Sequence, residues 1–158
     1  MAASLQWDEK YSVGIPEVDA QHKTLFHFID RLDAAIRDKH GSAACHNILA
    51  ELVDYTRIHF ALEESLMRLS AYPRFEGHRR QHEELIAEVA ELRRKLDSDS
   101  APVSFELMHF LRVWLTSHIL RSDQDYARHF QQSGFTDFSA WEAKARGASR
   151  NRPWWRFW

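Results

Sequence analysis

His78 and His82 lie four residues apart in the segment HRRQH, so a helix would present both imidazoles on one face. Imidazole binds iron, zinc, copper and nickel, and such a pair can therefore hold a transition metal. Ten histidines in one chain produce pairs of this kind by chance, and the spacing alone more often describes two surface residues. The pair indicates a metal site only if other segments supply further ligands.

Three other segments carry residues that could complete such a site. His59 and Glu63 are four residues apart, Asp123 follows His118 by five, and His22 precedes a strongly apolar stretch. With the first pair, this makes five imidazoles and two carboxylates, which are too many for one tetrahedral zinc ion. Because a carboxylate has two oxygens, two bridging carboxylates and five imidazoles could serve two metal ions.

Apolar residues recur at helical spacing in four segments, which predicts four amphipathic helices. They are expected at about 19–38, at 42–69, from the interruption SAYPRF to 96, and at 103–132. Asp19 is expected to cap the first of them. Four such helices with short connections are typical of an all-α, up-down-up-down antiparallel four-helix bundle, in which metal sites are built between facing helices.

The domain organisation predicted from this pattern is a single bundle with two appendages. Residues 1–135 form the four-helix bundle domain, including an N-terminal arm at 1–18, and residues 136–158 form a C-terminal extension rich in tryptophan and arginine. A chain of 158 residues is the size of one domain with a substantial core.

Composition excludes some classes of function. A net charge of −2 gives no reason to expect nucleic-acid binding, and no apolar run approaches the length of a membrane span. Cys45 is the single cysteine, which fits a reducing compartment, and the start MAASLQWDEK lacks the pattern of a signal peptide. We therefore expect a cytoplasmic protein. We also expect a monomer.

Four segments that carry the candidate ligands resemble the hemerythrin family, specifically its single-domain bacterial members. They are WDEKYSVGIPEVDAQHKTLF, HFALEESLM, HRRQH and WLTSHILRSD, and the resemblance extends over about residues 7–130. The resemblance implies a centre of two iron ions bridged by a hydroxide or oxide. It implies that one iron is held by His78, His82 and His118, the other by His22 and His59, and that both are bridged by Glu63 and Asp123.

The function implied by the resemblance is reversible dioxygen binding, for storage, delivery or local buffering, rather than enzymatic turnover. The family also implies an apolar oxygen pocket, whose candidates are Trp114, Leu115, Ile119, Met67 and Phe60. Three other functions remain open at this stage. They are a sensor of oxygen, nitric oxide or redox state, an enzyme that processes peroxide or nitric oxide at the same irons, and a protein that handles iron.

Several residues that resemble ligands by type lie outside the pattern. Glu64 is expected to be solvated, because the four-residue spacing from His59 selects Glu63, and Asp125 is expected at the surface or in a salt bridge. Exposed or hydrogen-bonded side chains are expected for the remaining histidines, His27, His40, His46, His109 and His129.

The C-terminal extension has a composition of its own. From Ala143 onward it carries five basic residues and no acid, and it ends in RPWWRFW. Tryptophan and arginine together suit a membrane interface or the groove of a partner protein. The alternative is a mobile tail or a segment folded back onto the bundle. The pattern predicts peripheral docking to a membrane or a membrane protein through Trp154, Trp155, Arg156 and Trp158.

Overall fold

The structure, a computed structural model, describes residues 4–38, 41–96 and 101–134, and its regular elements in these ranges are all helical. A fourth long rod consists of two α-helices joined without a gap by a π-helical turn. In chain order the elements are a 3-10 helix (Glu9–Tyr11), α1 (Pro16–Arg37), α2 (Gly41–Leu69), α3 (Phe75–Leu96), α4 (Ala101–His118), the π turn (Ile119–Asp123) and α5 (Gln124–Gln132).

The four rods close into a ring. α1 packs against α2 and α4, and α3 packs against the same two helices from the opposite corner. With short connections between successive helices, this is the predicted all-α, up-down-up-down bundle. Within the described residues, no helix is both long and apolar enough to cross a membrane. The predicted C-terminal extension, including Trp154, Trp155, Arg156 and Trp158, lies outside the described residues, so the predicted domain boundary at residue 135 stays a prediction.

The direction of each rod brings the candidate ligands to one end of the bundle. They occur early in α1 and α3, which run in the same direction, and late in α2 and α4, which run the opposite way. On α3 the buried stripe begins with His78 and His82 and continues with apolar residues, Leu85, Val89, Leu92 and Leu96. The bundle is therefore polar inside at one level and apolar over the rest of its length.

The predicted cap at Asp19 is wrong. α1 begins at Pro16, three residues earlier, with Ile15 at the N-cap position. Proline suits the first turn of a helix because its missing N–H would have no helical partner there. Asp19 instead fastens the N-terminal arm, since its carboxylate accepts hydrogen bonds from the Ser12 hydroxyl (2.5 Å) and the Val13 N–H (2.8 Å).

The N-terminal arm packs along the bundle near the candidate ligands. Tyr11 and Trp7 pack their rings against Phe26, at centroid distances of 5.1 and 5.7 Å. Gln124 donates to the Ser12 carbonyl (2.7 Å), and Gln131 donates to the Gly14 carbonyl (3.1 Å). The arm therefore ties α1 to the last part of the fourth rod.

Gly14→Ala is expected to lower the free energy of unfolding by about 1–2 kcal/mol, because an L side chain is disfavoured in the left-handed region. Gly14 has φ of +78°, and a Cβ there would lie 2.6 Å from Nε2 of Gln131. The control is Gly77→Ala in α3, where a Cβ meets nothing within 4 Å. That variant should raise stability by about 0.5–1 kcal/mol. Urea unfolding measures both changes, and a Gly14→Ala variant as stable as the parent would contradict the backbone strain expected for an alanine at residue 14.

Candidate metal centre

All seven residues predicted as metal ligands are buried and converge on one site. None of them is more than 7% exposed. Their donor atoms form two groups, in each of which every donor lies within 4.8 Å of the others. One group contains Glu63, His78, His82, His118 and Asp123, and the other contains His22, His59, Glu63 and Asp123.

The π turn explains how Asp123 joins His118 on the same face. Five residues of a regular α-helix rotate by about 140° relative to a full number of turns, which would point Asp123 away from the core. The wider π turn over Ile119–Asp123 removes most of this offset, and π turns occur frequently at functional sites. Asp123 Oδ1 lies 3.0 Å from His118 Nε2.

Three imidazole nitrogens face one another at the first group. The Nε2 atoms of His78 and His82 are 3.0 Å apart, those of His82 and His118 are 3.2 Å apart, and those of His118 and His78 are 3.1 Å apart. Donors at about 2.1 Å from one metal ion and at right angles to each other are about 3.0 Å apart. The three rings are therefore spaced as neighbouring ligands of one ion.

Each carboxylate offers one oxygen to each group. Oε1 of Glu63 lies 3.3 Å from His59 Nε2 and 3.4 Å from His22 Nε2, while Oε2 lies 3.2 Å from His82 Nε2. Oδ2 of Asp123 lies 3.1 Å from His22 Nε2, and Oδ1 faces the three-histidine group. Two carboxylates arranged in this way could bridge two ions.

Several of these buried donor atoms have no hydrogen-bond partner within the described ranges. They are His22 Nε2, Glu63 Oε2 and both oxygens of Asp123. The short distances from His22 to Glu63 and Asp123 therefore bring atoms close together without aligning them as donor and acceptor. Leaving buried polar atoms unsatisfied is costly, and a metal ion that accepts their lone pairs removes that cost. The donor set fits a pair of metal ions.

The charges in the cluster support the same interpretation. Burial and Glu63 raise the pKa of Asp123, but His118 and His22 outweigh them and hold this pKa well below its usual range. Burial likewise opposes ionisation of Glu63, and His59 and His22 reverse the effect, so its pKa is also lowered. Both carboxylates are therefore in the charged form that binds metals, and they require positive charge between them.

The pKa values of the imidazoles shift in different directions. Burial lowers the pKa of His22 and His78, but the nearby carboxylates of Asp123 and Glu63 outweigh it and raise each of these pKa values to about 9. For His59 burial dominates, and its pKa is lowered. Without a metal, protonation of His22 and His78 would supply positive charge to the cluster. A bound cation would supply this charge instead of the protons.

Two aromatic side chains stack on ligand imidazoles and fix the orientation of these rings. Phe60 stacks on His82 with centroids 3.6 Å apart and an interplanar angle of 2°. Trp114 stacks on His118 with centroids 4.3 Å apart and an angle of 15°. Both aromatic residues were predicted as pocket residues, and the structure adds that they orient imidazoles.

Three residues that contact the ligands were not predicted to do so from the sequence. Gln21 Oε1 lies 2.7 Å from His59 Nδ1, and the buried Tyr126 donates its hydroxyl to Glu63 Oε1 at 3.0 Å. Glu64 was expected to be solvated; its side chain is partly exposed, and its Oε1 also lies 3.0 Å from Nδ1 of His82. For Gln21 and Tyr126, position was the one signal in the sequence that could have indicated these contacts. Gln21 adjoins His22, and Tyr126 follows Asp123 by three residues.

Other residues of ligand type lie away from the cluster. Asp125 accepts a hydrogen bond from Tyr72 and forms an ion pair with Arg74. Nε2 of His129 lies 2.8 Å from the Ser70 carbonyl oxygen. Glu106 and His109 have the Glu-x-x-His spacing of ferritin-like di-iron proteins, but both side chains are exposed and neither belongs to either donor group. His27 is exposed, His46 is partly buried, and His40 lies outside the described residues.

An apolar cavity of about 30 Å³ extends from the cluster towards the middle of the bundle. One water-sized molecule needs roughly 10–15 Å³, so the cavity can admit a diatomic molecule. Of the five predicted pocket residues, Phe60, Trp114 and Leu115 line it, whereas Ile119 and Met67 are fully buried elsewhere. The other lining residues are Leu25, Ile29, Leu52, Val53, Thr56, His59, Leu85, Ile86, Val89, Leu111, His118 and Asp123.

Comparison with known proteins identifies the family. The model of the hemerythrin HHE cation binding domain matches residues 13–130, which is most of the chain and includes all seven candidate ligands. The chain belongs to the hemerythrin family. The resemblance inferred from the sequence is confirmed, and so is the four-helix bundle that it implied. Hemerythrins bind non-haem iron, and the His/Glu/Asp cluster described above is able to hold a metal.

Relatives within the hemerythrin family cover similar shares of this chain. A bacteriohemerythrin of Stenotrophomonas maltophilia (strain R551-3) is 38% identical over 79% of this chain and 80% of its own length. A myohemerythrin of Theromyzon tessulatum is 31% identical over 77% of this chain and 89% of its own length. The crystal structure of a wild-type hemerythrin superposes with a TM-score of 0.71 at 30% identity, over 81% of this chain and 98% of the other.

Proposed function

We propose that this protein binds dioxygen reversibly at a pair of non-haem iron ions and is not an enzyme. The observation that carries the proposal is the division of seven buried donors into two groups that share both carboxylates. His78, His82 and His118 would hold one iron, and His22 and His59 the other. Glu63 and Asp123 would bridge the pair, together with an oxide or hydroxide.

The two groups differ in a way that suits ligand binding. The group with three imidazoles offers five protein donors in all, and the group with two imidazoles offers four. The second group therefore leaves more room for a ligand that does not come from the protein. His59, which belongs to that group, lies on the wall of the apolar cavity. His118 and Asp123 line the same cavity, so a small apolar molecule there could reach both groups, and the less saturated group would bind it.

The residues around the cavity favour binding over turnover. When bound, a ferrous pair supplies the electrons with which dioxygen is held reversibly. Leu115, Phe60 and Trp114 exclude water from that side of the centre. Thr56 provides the one hydroxyl group among the lining residues in the described part of the chain, and it already donates to the Leu52 carbonyl at 2.7 Å. The cavity wall therefore offers dioxygen no free hydroxyl proton.

A reversible change in absorption tests the proposal. The reduced, iron-loaded protein is scanned before air is admitted, in air, and after degassing. A visible band that appears in air and disappears on degassing, with one dioxygen bound per chain, is the expected result. Sustained consumption of oxygen, peroxide or nitric oxide would overturn the proposal in favour of an enzyme. A band that does not reverse would exclude storage, delivery and buffering.

Removal of the metal should lower the melting temperature by about 12–16 °C. Metal at about 1,000 times its dissociation constant stabilises the native state by about 4 kcal/mol. In a domain of this size, each kcal/mol corresponds to roughly 3–4 °C. Calorimetry of iron-loaded and chelator-treated protein measures the difference. Restoring ferrous iron without oxygen is the control, and it should return the original transition. Equal melting temperatures would argue against a metal buried between the helices.

We further propose that the C-terminal extension docks the protein to an anionic membrane or a protein within one. The proposal rests on the basic and aromatic composition of residues 148–158. Deleting them removes Arg150, Arg152 and Arg156, each worth about 1 kcal/mol at an anionic surface. Binding to anionic vesicles should then weaken about 100-fold in co-sedimentation, while neutral vesicles serve as the control. Equal pelleting of both forms would contradict the proposal.

Three other proposals concern location, oligomeric state and nucleic acid. Cys45 is the single cysteine of the chain and is buried, which fits function in the reducing cytoplasm. We also propose a monomer that does not bind nucleic acid, in keeping with the net charge of −2. Sedimentation equilibrium of the iron-loaded protein tests the oligomeric state.

A further inference from the structure

Glu64 contacts a candidate ligand from the side that faces away from the metal centre. His82 directs Nε2 towards His78 and His118, so its Nδ1 points outward, where Oε1 of Glu64 lies 3.0 Å away. Phe60, one turn before Glu64 on α2, stacks on the same imidazole. One face of α2 therefore fixes both the plane of the His82 ring and the partner of its outer nitrogen.

The other outer nitrogens have different partners. Nδ1 of His59 lies 2.7 Å from the side-chain oxygen of Gln21, which is neutral. Nδ1 atoms of His22 and His78 have no hydrogen-bond partner among the residues that the structure describes. Among the residues that the structure describes, Glu64 is the one carboxylate beside an outer imidazole nitrogen of the site. It lies on the three-histidine side.

In the described part of the chain, Glu64 forms no ion pair with an arginine or lysine. Arg79, on the neighbouring turns of α3, is attracted by the Glu64 charge, but its ion pairs are with Glu76 at 3.0 Å and Glu83 at 2.5 Å. The Glu64 side chain is 21% exposed, against 2% for His82, so it lies at the rim of the core. There it keeps part of its hydration and still reaches the buried ring.

An imidazole that binds a metal through Nε2 carries its proton on Nδ1, and an acceptor at Nδ1 stabilises that tautomer. A charged acceptor makes a hydrogen bond about twice as strong as a neutral one and makes the ring a better donor to the metal. We propose that Glu64 is a positioning residue that holds His82 in its metal-binding tautomer and strengthens metal retention on the three-histidine side. Gln21 performs the weaker, uncharged equivalent for His59. The inference rests on the proposed metal site.

Metal release from three variants tests the role of Glu64. Wild type, Glu64→Gln, Glu64→Ala and the control Glu51→Gln are loaded with Zn²⁺, or with Fe²⁺ without oxygen, and mixed with a chromogenic chelator. Glu51 is an exposed acid of the same helix that pairs with Arg31, so its replacement removes an equal charge away from the site. Loss of an outer-shell partner typically costs 10–100-fold in metal affinity. Glu64→Ala should therefore release metal about 10–100-fold faster than wild type.

The order of the metal-release rates among the variants separates a positioning role of Glu64 from a packing role. Glu64→Gln keeps an acceptor and loses the charge, so its release rate should fall between those of wild type and Glu64→Ala. Glu51→Gln should match wild type. Equal rates for wild type and Glu64→Ala would overturn the proposal. Equal acceleration by Glu64→Gln and Glu64→Ala would also overturn it, because the neutral acceptor would then have no effect.

Nitrogen NMR of the zinc-loaded protein supplies a readout that packing alone would not change. The His82 ring should carry its proton on Nδ1 in wild type, and the chemical shift of this nitrogen should move in the order wild type, Glu64→Gln, Glu64→Ala. A His82 protonated at Nε2 would overturn the proposal. If wild type retains metal but fails to bind dioxygen reversibly, only the proposed function is overturned. The graded release rates would still support the positioning role of Glu64. Wild type without metal would overturn both.

Discussion

Asp123→Ala is expected to reduce the iron content from two ions per chain to one or none. Asp123 faces His22 through one oxygen and His118 through the other, so its removal deprives both donor groups of a ligand at once. It also leaves the imidazoles around Glu63 with one counter-charge instead of two. Removing one partner of a buried charged pair is strongly destabilising, by about 3–5 kcal/mol. The variant should therefore also melt earlier.

Asp125→Ala is the matched control for this prediction. Asp125 lies two residues further on and interacts with Tyr72 and Arg74, outside both donor groups. Both variants are supplied with excess ferrous salt without oxygen, desalted and measured for iron and protein, with circular dichroism to show that each is folded. Asp125→Ala should retain two irons per chain. Should Asp123→Ala also retain two irons and an unaltered oxygenated spectrum, Asp123 would not be a ligand.

The fold and the level of the site follow from the sequence for a physical reason. Apolar residues at helical spacing require four helices that bury one stripe each, and short connections force neighbouring helices to run antiparallel. Residues early in α1 and α3 then meet residues late in α2 and α4. This is why His22, His59 and His82 could be assigned to one end of the bundle before any contact was known.

Contacts that depend on the rotation of one helix against another could not be obtained in this way. Glu63 and Glu64 are adjacent in sequence and about 100° apart around α2, and their spacing from His59 selects one as the inner residue without showing where the other points. The packing of α2 against α3 directs Glu64 to His82. Similarly, Asp19 has the residue type of a helix cap, but Pro16 starts the helix earlier.

The cavity shows the same dependence on direction. On α2 its lining residues, Leu52 to Phe60, precede Glu63, and on the fourth rod Leu111 to His118 precede Asp123. The cavity therefore extends from the metal centre towards the apolar middle of the bundle. Met67 comes one turn after Glu63 and lies on the other side of the centre. Its residue type fitted an oxygen pocket, whereas its position along the rod did not.

Leu115→Asn is expected to shorten the lifetime of the oxygenated protein about tenfold or more. Leu115 lies on the cavity wall, is 7% exposed, and precedes His118 by three residues, so its side chain adjoins the centre. Asparagine has nearly the same size but offers an amide that binds water. Water beside the centre would supply two protons, and with two electrons from the iron pair the oxygen would leave as hydrogen peroxide, with both irons then ferric. A barrier lowered by about 1.4 kcal/mol corresponds to a tenfold faster reaction. The decay of the oxygenated absorption band in air measures this rate.

Two controls separate polarity at the cavity wall from other effects of the substitution. Leu115→Met keeps the site apolar at similar volume and should decay at nearly the parental rate. Leu120→Asn places the same amide on the same rod at a position that is 42% exposed, where an additional polar group changes nothing at the cavity. If Leu115→Asn decays no faster than Leu120→Asn, water is not excluded by Leu115. If Leu115→Met accelerates decay as much as Leu115→Asn, the shape of the leucine, and not its apolar character, protects the centre.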